Sequence, residues 1–566
     1  MAQSYDGGEA ILDGFRRLGI DYIISSPGSE WPSVWDALAR QQATGAQGPK
    51  YLNCWHESLA VAMAIGYTSV TGRLQAVLLH TGVGLLQGSL AIHAANQGEV
   101  PLLVCSGESI TYGENPAFDP GSQWFRGLSV VGGPHRLVEP VVKWANQVSS
   151  PYTLHETVIR AGEMAQRVPK GPVYLDIPIE VMMAEWSPAR QRTHVPPPPK
   201  LQPTSEAIAR VAELLAESRN PVILTETCAR PGDAYPALLQ LAELLSIPVV
   251  ESGAPQVANF PKDHPLHLGF DAQPFLDQAD LFLVIGNKAP WYPPSASPAK
   301  GTIVVIDENP LKRQMVYQTL QADHYLEGDV ATTLRLLADA LQARGAHQAP
   351  GLGERRAHWE AEHHKLYDGY RAAAAAAENK KPVDPIWLCT ALSEAMPRDA
   401  VYVEETIVHR PTILRHVAWN GPQSYFHPPS GLGLGLGMAL GVKLAMPERP
   451  VVALMGDGSF LYNPIVQSLG ASQEHQLPLL IVVFNNGGYA SMKRAHQQFY
   501  PQGASVTSGI FPEAKIPGPN YARLVEPFGG YGERVEEAGA LKAALQNALT
   551  AVNSGRMALL DVAVSA

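Results

Sequence analysis

The stretch MGDGSFLYNPIVQSLGASQEHQLPLLIVVFNNGGY, Met455–Tyr489, puts a carboxylate between two glycines and, further on, an Asn pair before two more glycines. VVALMGDG reads as a strand that ends at Gly456-Asp457-Gly458. Asn463 is placed to cap the next helix, Pro464 to open it, and Ile465, Val466 and Leu469 follow at helical spacing. LPLLIVVF reads as the next strand, and Asn485-Asn486-Gly487-Gly488 leaves its C-terminal end. If the two strands are parallel neighbours, Asp457 and the Asn pair emerge side by side at the edge where open α/β sheets bind ligands. A carboxylate, an amide oxygen and a free carbonyl are hard oxygen donors that suit Mg²⁺ or Ca²⁺, and Mg²⁺ completes its shell with phosphate oxygens and water. The glycines let backbone approach a diphosphate closely. GDG or NNG alone is an ordinary turn; the combination strand–GDG–helix–strand–NNG points to a site.

The same design recurs outward from this unit. DYIISSPGS, QAVLLHTG, VPLLVCSGE and PVYLDIP are strand-like in the first part of the chain. NPVILTET, IPVVESGA, ADLFLVIGN and GTIVVIDENP are so in the middle, and AVYVEE and MALLDVAV join the opening pair in the last part. Runs of Val, Ile and Leu without polar alternation suit parallel strands buried on both faces. With helical segments between them they predict three doubly wound parallel-sheet α/β domains. Linkers are expected at 187–206, which contains four consecutive prolines, and in the polar, alanine-rich region 343–383, read largely as surface helix. They divide the chain into 1–186, 200–340 and 375–566.

The chain has 566 residues, too many for one hydrophobic core, and 46% apolar with 17% charged residues describes a globular protein. A net charge of −11 argues against a nucleic-acid surface and against anionic membranes, so a bound phosphate has to be held locally. Cys54, Cys105, Cys228 and Cys389 are far apart and form no CxxC pair, which argues against a disulfide framework or zinc site and suits a reducing cytoplasm. MAQSYDGGEA lacks the features of a signal peptide, and no apolar run reaches membrane-spanning length.

The C-terminal unit resembles the diphosphate-binding motif of thiamine-diphosphate (ThDP) enzymes, in particular the benzoylformate decarboxylase, acetohydroxyacid synthase and pyruvate oxidase group. The resemblance covers nearly the whole chain, in the order pyrimidine-binding domain (1–186), central domain (200–340) and diphosphate-binding domain (375–566). It implies that Asp457, the Asn486 side chain and the Gly488 carbonyl hold Mg²⁺, with Gly456, Gly458, Ser459 and Tyr489 beside the cofactor. The segment between GDG and NN is longer than in the relatives, which leaves open whether Asn485 or Asn486 is the ligand and implies an enlarged loop near Tyr462–Pro464. In PPSGLGLGLGMALG, whose glycine spacing is not a strict dinucleotide fingerprint, Leu432 stands where the family props ThDP into its bent form. Thr406 in VEETIVHRP falls in the family's diphosphate-contacting loop.

Glu57, in LNCWHESLAVAMAIGYTSVTGR, reads by itself as a carboxylate favourable to a helix N-terminus. The HE…A…A.GY….G pattern followed by VLLHTGVG is similar to the family's pyrimidine-domain signature. There the Glu activates the cofactor by hydrogen-bonding N1′ of the aminopyrimidine, whose imino nitrogen removes the proton from C2. The same comparison places Ser29 of SSPGSE and His80 of LLHTG at an active-site serine and a catalytic histidine of benzoylformate decarboxylase. A serine can hold a 2-oxo acid carboxylate, and a histidine near neutrality can supply a proton after CO₂ leaves. The decarboxylase's second histidine has no counterpart in VIGNKAPWYPPSAS (284–297), where Trp291 and Tyr292 suggest an aromatic wall for a different acyl group or acceptor. Ser491 and Met492 are expected to shape the pocket, and His409 is a further candidate proton donor.

TIVVIDENP ends a strand with an acid, a place that can bind a ribose, but the flavin-associated stretch of the relatives is replaced by NKAPWYPPSA. FAD is therefore not expected, and no basic nest for a CoA diphosphate is visible. The resemblance implies a ThDP- and Mg²⁺-dependent decarboxylase that converts a 2-oxo acid to CO₂ and an aldehyde. The alternative is an acetolactate-synthase-like carboligase, and a flavin-dependent oxidase of the same fold comes third. In the family the cofactor lies between the pyrimidine domain of one subunit and the diphosphate domain of another, so a homodimer or homotetramer is expected.

Overall fold

The computed structural model describes residues 5–112, 114, 116, 118–187, 195–230, 232–512 and 514–565. Residues 188–194 of the expected linker lie outside them; Val195–Lys200, with the prolines, is neither helix nor strand. The chain forms two compact units. One comprises Met1–Pro199, Pro428–Met446 and Asn463–Leu477, the other Lys200–His427, Pro447–Tyr462 and Pro478–Ala566.

The first unit is built on a six-stranded sheet in the order Lys50–Asn53, Tyr22–Ser26, Gln75–Leu79, Leu102–Glu108, Val173–Pro178, Trp144–Gln147, all parallel. The central strands are buried along their whole length, as their unbroken apolar runs predict. Their side chains Ile23, Leu78, Leu103, Leu175 and Ile177 pack with Ile11, Phe15 and Val158 of the flanking helices. The helix Glu57–Thr71 is capped by His56, whose Nδ1 accepts from Ser58 N–H at 3.2 Å, and it ends at the left-handed Gly72. It is apolar all round because the helix Gly435–Ala445 packs tightly against it. A Cβ on Gly441 would come within 2.0 Å of the Met63 carbonyl, and one on Gly66 within 2.2 Å of the Met438 carbonyl. Gly437 and Gly441 of GLGLGLGMALG thus serve a close helix–helix contact.

The second unit carries two parallel sheets. The five-stranded one runs Val249–Glu251, Pro221–Thr225, Leu281–Ile285, Thr302–Asp307, His324–Glu327. The six-stranded one runs Tyr425–Phe426, Val401–Glu405, Val451–Gly456, Leu480–Asn485, Ala558–Ala563, Tyr531–Val535. Three parallel α/β sheets are therefore present, as expected. The alanine-rich region forms the 26-residue helix Leu352–Ala377.

One local expectation is corrected. Asn463 is not a helix cap. After the GDG turn the chain forms a short helix, Asp457–Tyr462, breaks, and restarts as Ile465–Glu474 with Pro464 at the cap position and no side-chain cap bond. Pro464 disfavours helical geometry at Asn463, which ends the first helix, and the Asn463 amide oxygen instead accepts from Leu436 N–H at 3.0 Å. Leu461 and Tyr462 are exposed on the short helix Asp457–Tyr462. Among the described residues no helix is long and apolar enough to cross a membrane. All four cysteines are free and buried.

Candidate active site

In the second unit the two strands of the opening stretch are parallel neighbours, with Gly456 paired to Phe484. This brings Asp457 beside the Asn-Gly loop, and Gly488 N–H donates to Asp457 Oδ2 at 3.1 Å while Gly458 N–H donates to Oδ1 at 2.8 Å. Asp457 is 3% exposed, and burial pushes its carboxyl above the usual range against those backbone donors. Among the described residues no Lys or Arg pairs with it. A buried carboxylate held only by backbone N–H groups, beside an amide oxygen and a carbonyl, is a donor set that a hard divalent cation fits.

The two asparagines differ. Asn485 turns inward, donating Nδ2–H to Asp561 Oδ1 at 2.8 Å and accepting Gly487 N–H at 3.1 Å. Asn486 Oδ1 accepts from Gly488 N–H at 3.1 Å, and its Nδ2 faces His409 Nε2 at 3.4 Å. Gly458 is required because the Tyr489 ring lies against it, 2.7 Å from where a Cβ would sit. Ser459 is buried in the same turn.

Thr406 is buried, and both its N–H and hydroxyl donate to Glu404 Oε1. Glu404 also meets His427 at 3.0 Å and Arg410 at 3.1 Å. Burial opposes its charge, but His427 and then Arg410 hold its carboxyl down to about 2. The Thr406 hydroxyl is thus oriented by an inward ion cluster that the sequence did not reveal. His409 stacks on Phe484 and is lowered to about 4 by burial and then by Arg494, so it is a neutral imidazole at neutral pH and not a cationic proton donor. Trp291 and Tyr292 do not form one wall: Trp291 is 5% exposed and packs inward, whereas Tyr292 is 86% exposed. Ser491 and Met492 lie on the helix Ala490–Phe499, which buries none of its residues.

In the first unit Glu57 is the first residue of its helix, and its carboxyl lies over Gly84 of the helix Thr81–Gln97, 2.8 Å from where a Cβ would be. His80 immediately precedes that helix. Its Nδ1 meets Glu30 Oε2 at 2.9 Å, and Glu30 Oε1 accepts Thr81 N–H at 2.8 Å. Glu30, 1% exposed, therefore both orients the imidazole and caps the helix that follows it. The hydrogen bond to Glu30 raises His80 above the usual histidine range, against the burial that would lower it. Gly28 must lack a side chain because a Cβ would fall 1.7 Å from His80 Nδ1. Ser29 is exposed, and its Oγ accepts from Gln123 Nε2 at 3.2 Å. Ser29 and His80 are thus gathered around Glu30. Glu30 and Gln123 were not identified from sequence: Glu30 stands next to Ser29 in SSPGSE, but only the strand order brings His80 to it. Leu432 is half-buried in the bend before Gly435–Ala445.

Residues 5–127 match the model of the thiamine pyrophosphate enzyme N-terminal TPP binding domain, 208–337 the central domain and 409–562 the C-terminal TPP binding domain. The chain belongs to the thiamine pyrophosphate enzyme family. It is 26% identical to the acetolactate synthase isozyme 3 large subunit of Escherichia coli, over 99% of this chain and 94% of that protein. It is 25% identical to benzoylformate decarboxylase of Pseudomonas aeruginosa, over 95% of each. Its fold superposes on a Rhodococcus jostii thiamine-diphosphate-dependent 4-hydroxybenzoylformate decarboxylase with a TM-score of 0.77 at 24% identity, covering 99% of both chains.

Proposed function

We propose that this thiamine-diphosphate-dependent enzyme is a non-oxidative 2-oxo acid decarboxylase that releases CO₂ and an aldehyde. The observation that carries this reading is the Glu30–His80 pair beside Ser29, a histidine oriented by a buried carboxylate and raised toward its protonated form. ThDP, when bound, supplies the carbon nucleophile and the cationic electron sink for loss of CO₂. Glu57 holds a proton at the aminopyrimidine ring. Ser29, steadied by Gln123, hydrogen-bonds the substrate carboxylate. His80 delivers a proton to the carbon from which CO₂ has departed. Asp457, Asn486 and the Gly488 carbonyl would hold Mg²⁺; the inward bonding of Asn485 supports Asn486 as the amide ligand. Gly456, Gly458, Ser459, Tyr489, Thr406 and Leu432 are the proposed cofactor contacts, and Tyr292, Met492 and Ser491 the acyl-side surface.

The division 1–186, 200–340 and 375–566 stands as our domain reading, with sites shared between subunits of a homodimer or homotetramer. Flavin is not part of this reading, which the replacement of the relatives' flavin-associated stretch by NKAPWYPPSA supports. The second reading, an acetolactate-type carboligase, is favoured by the absence of a histidine from 284–297. Incubation with a panel of 2-oxo acids, with and without an added aldehyde, separates the two: free aldehyde is expected, and hydroxyketone as the sole product would overturn decarboxylation as the main reaction.

The Glu30–His80 pair carries its own prediction. In Glu30→Gln the histidine loses the partner that raises it, so the alkaline limb of kcat against pH moves to lower pH and activity at neutral pH drops by about 10–100-fold. The stabilisation from a raised histidine is present below its unfolded pKa and is lost as pH rises through the folded one. The variant's stability should accordingly fall behind the wild type's most on the acid side, readable from urea midpoints at several pH values. An unmoved alkaline limb would remove His80 from the protonation step.

A further inference from the structure

Behind the proposed site, on the face of the first sheet covered by the helix His135–Val138, two carboxyl groups are buried together: Glu108 at the end of Leu102–Glu108, and Asp176 on the adjacent strand Val173–Pro178. Ser106 pairs with Asp176 in the parallel register, so Glu108, two residues on, is a diagonal neighbour on the same face. Glu108 is 1% exposed and Asp176 0%.

Their donor sets are unequal. Glu108 Oε1 accepts from Ser109 N–H at 2.8 Å and Ser129 Oγ–H at 3.1 Å, and Oε2 accepts from Val130 N–H at 3.2 Å. Asp176 Oδ2 accepts only from Gln147 Nε2 at 2.9 Å, and Oδ1 has no hydrogen-bond partner among the described residues. His135 Nδ1, also buried and without a hydrogen-bond partner, stands 3.9 Å from Asp176 Oδ2. No Lys or Arg among the described residues pairs with either carboxyl. The other titratable groups facing them are Tyr174 on the Asp176 strand, which meets Ser106 Oγ, and Glu180, held by Ser109 and Thr111. Two carboxylates this close in an apolar interior are costly to ionise together. The one with three donors keeps the charge and the one with a single donor keeps the proton.

The pair also holds a segment that touches the site at two places. Ser129 and Val130 are tied to Glu108, and the Val130 side chain fills the space over Gly82, 2.3 Å from where a Cβ would stand, in the first turn of the helix that follows His80. The other end of the segment starts at Gln123, whose amide reaches Ser29. We propose that a proton kept on Asp176, beside the Glu108 carboxylate that holds Ser129 and Val130, latches the Gln123–His135 segment onto the His80 end of that helix, and that loss of the proton releases it. The direction agrees: burial, and then the charge of Glu108, push Asp176 up to about 8. A carboxyl raised above its unfolded value contributes stability at low pH that is lost as pH climbs from that unfolded value through the folded one.

The test is hydrogen exchange of the full-length protein, followed at the Val130 amide across neutral to alkaline pH. Wild-type protection, corrected for the intrinsic exchange rate, is expected to fall with rising pH by up to about tenfold per pH unit. Asp176→Asn, which imitates the neutral acid, is expected to hold protection level. Infrared spectroscopy of the wild type supplies a readout that needs no folded variant: a protonated-carboxyl stretch present at neutral pH and lost through the same transition. Equal pH dependence in wild type and variant, or no protonated carboxyl at neutral pH, would overturn the proposal.

Discussion

Glu57→Gln is expected to lower kcat by about 10²–10⁴-fold, the span typical of removing a positioned proton-transfer group. The carboxyl is fixed by its place, in the first turn of a helix capped by His56 and over a glycine that leaves room for it. Glutamine keeps the shape and can still hydrogen-bond a ring nitrogen, but it cannot take or return a proton. Cofactor affinity should change far less than turnover, so titration of ThDP binding beside CO₂ release separates the two effects. A variant with wild-type turnover would sink the assignment of Glu57.

Asp457→Asn is expected to weaken Mg²⁺-dependent ThDP binding by at least about 30-fold, as when one partner of a buried charge pair is truncated. The same substitution should not harm the apo-protein. Burial raises the Asp457 carboxyl, so in the apo-protein its charge is a liability that grows as pH rises above the unfolded value. Asparagine removes that liability. The expected signature is an apo Tm equal to or above the wild type's at neutral pH, together with loss of the Tm gain that Mg²⁺ and ThDP give the wild type. If the variant kept the full gain, Asp457 would not be a cation ligand.

Which parts of this were readable in advance follows a physical pattern. Strands buried on both faces announce themselves as apolar runs, and each run named from the sequence is a strand. The polar or very short edge strands Lys50–Asn53, Trp144–Gln147, His324–Glu327, Tyr425–Phe426 and Tyr531–Val535 carry no such signal, since one side of each has no neighbour to demand it. Asn463 misled because a good cap residue followed by proline is an equally good break between helices.

By itself the sequence determined the parallel α/β plan, the pairing of the GDG and NNG turns and the start of the Glu57 helix, because these depend on local spacing and on which stretches are wholly apolar. Only the tertiary structure could assign partners between distant segments: Glu30 to His80, Gln123 to Ser29, Asn485 to Asp561, and Thr406 to Glu404. The reason is that a hydrogen bond or a charge pair is made across strand order and helix packing. Whether a carboxylate is a helix cap, a magnesium ligand or the partner of a histidine depends on what stands within about 3 Å of its oxygens, and the chain's linear order does not state that distance.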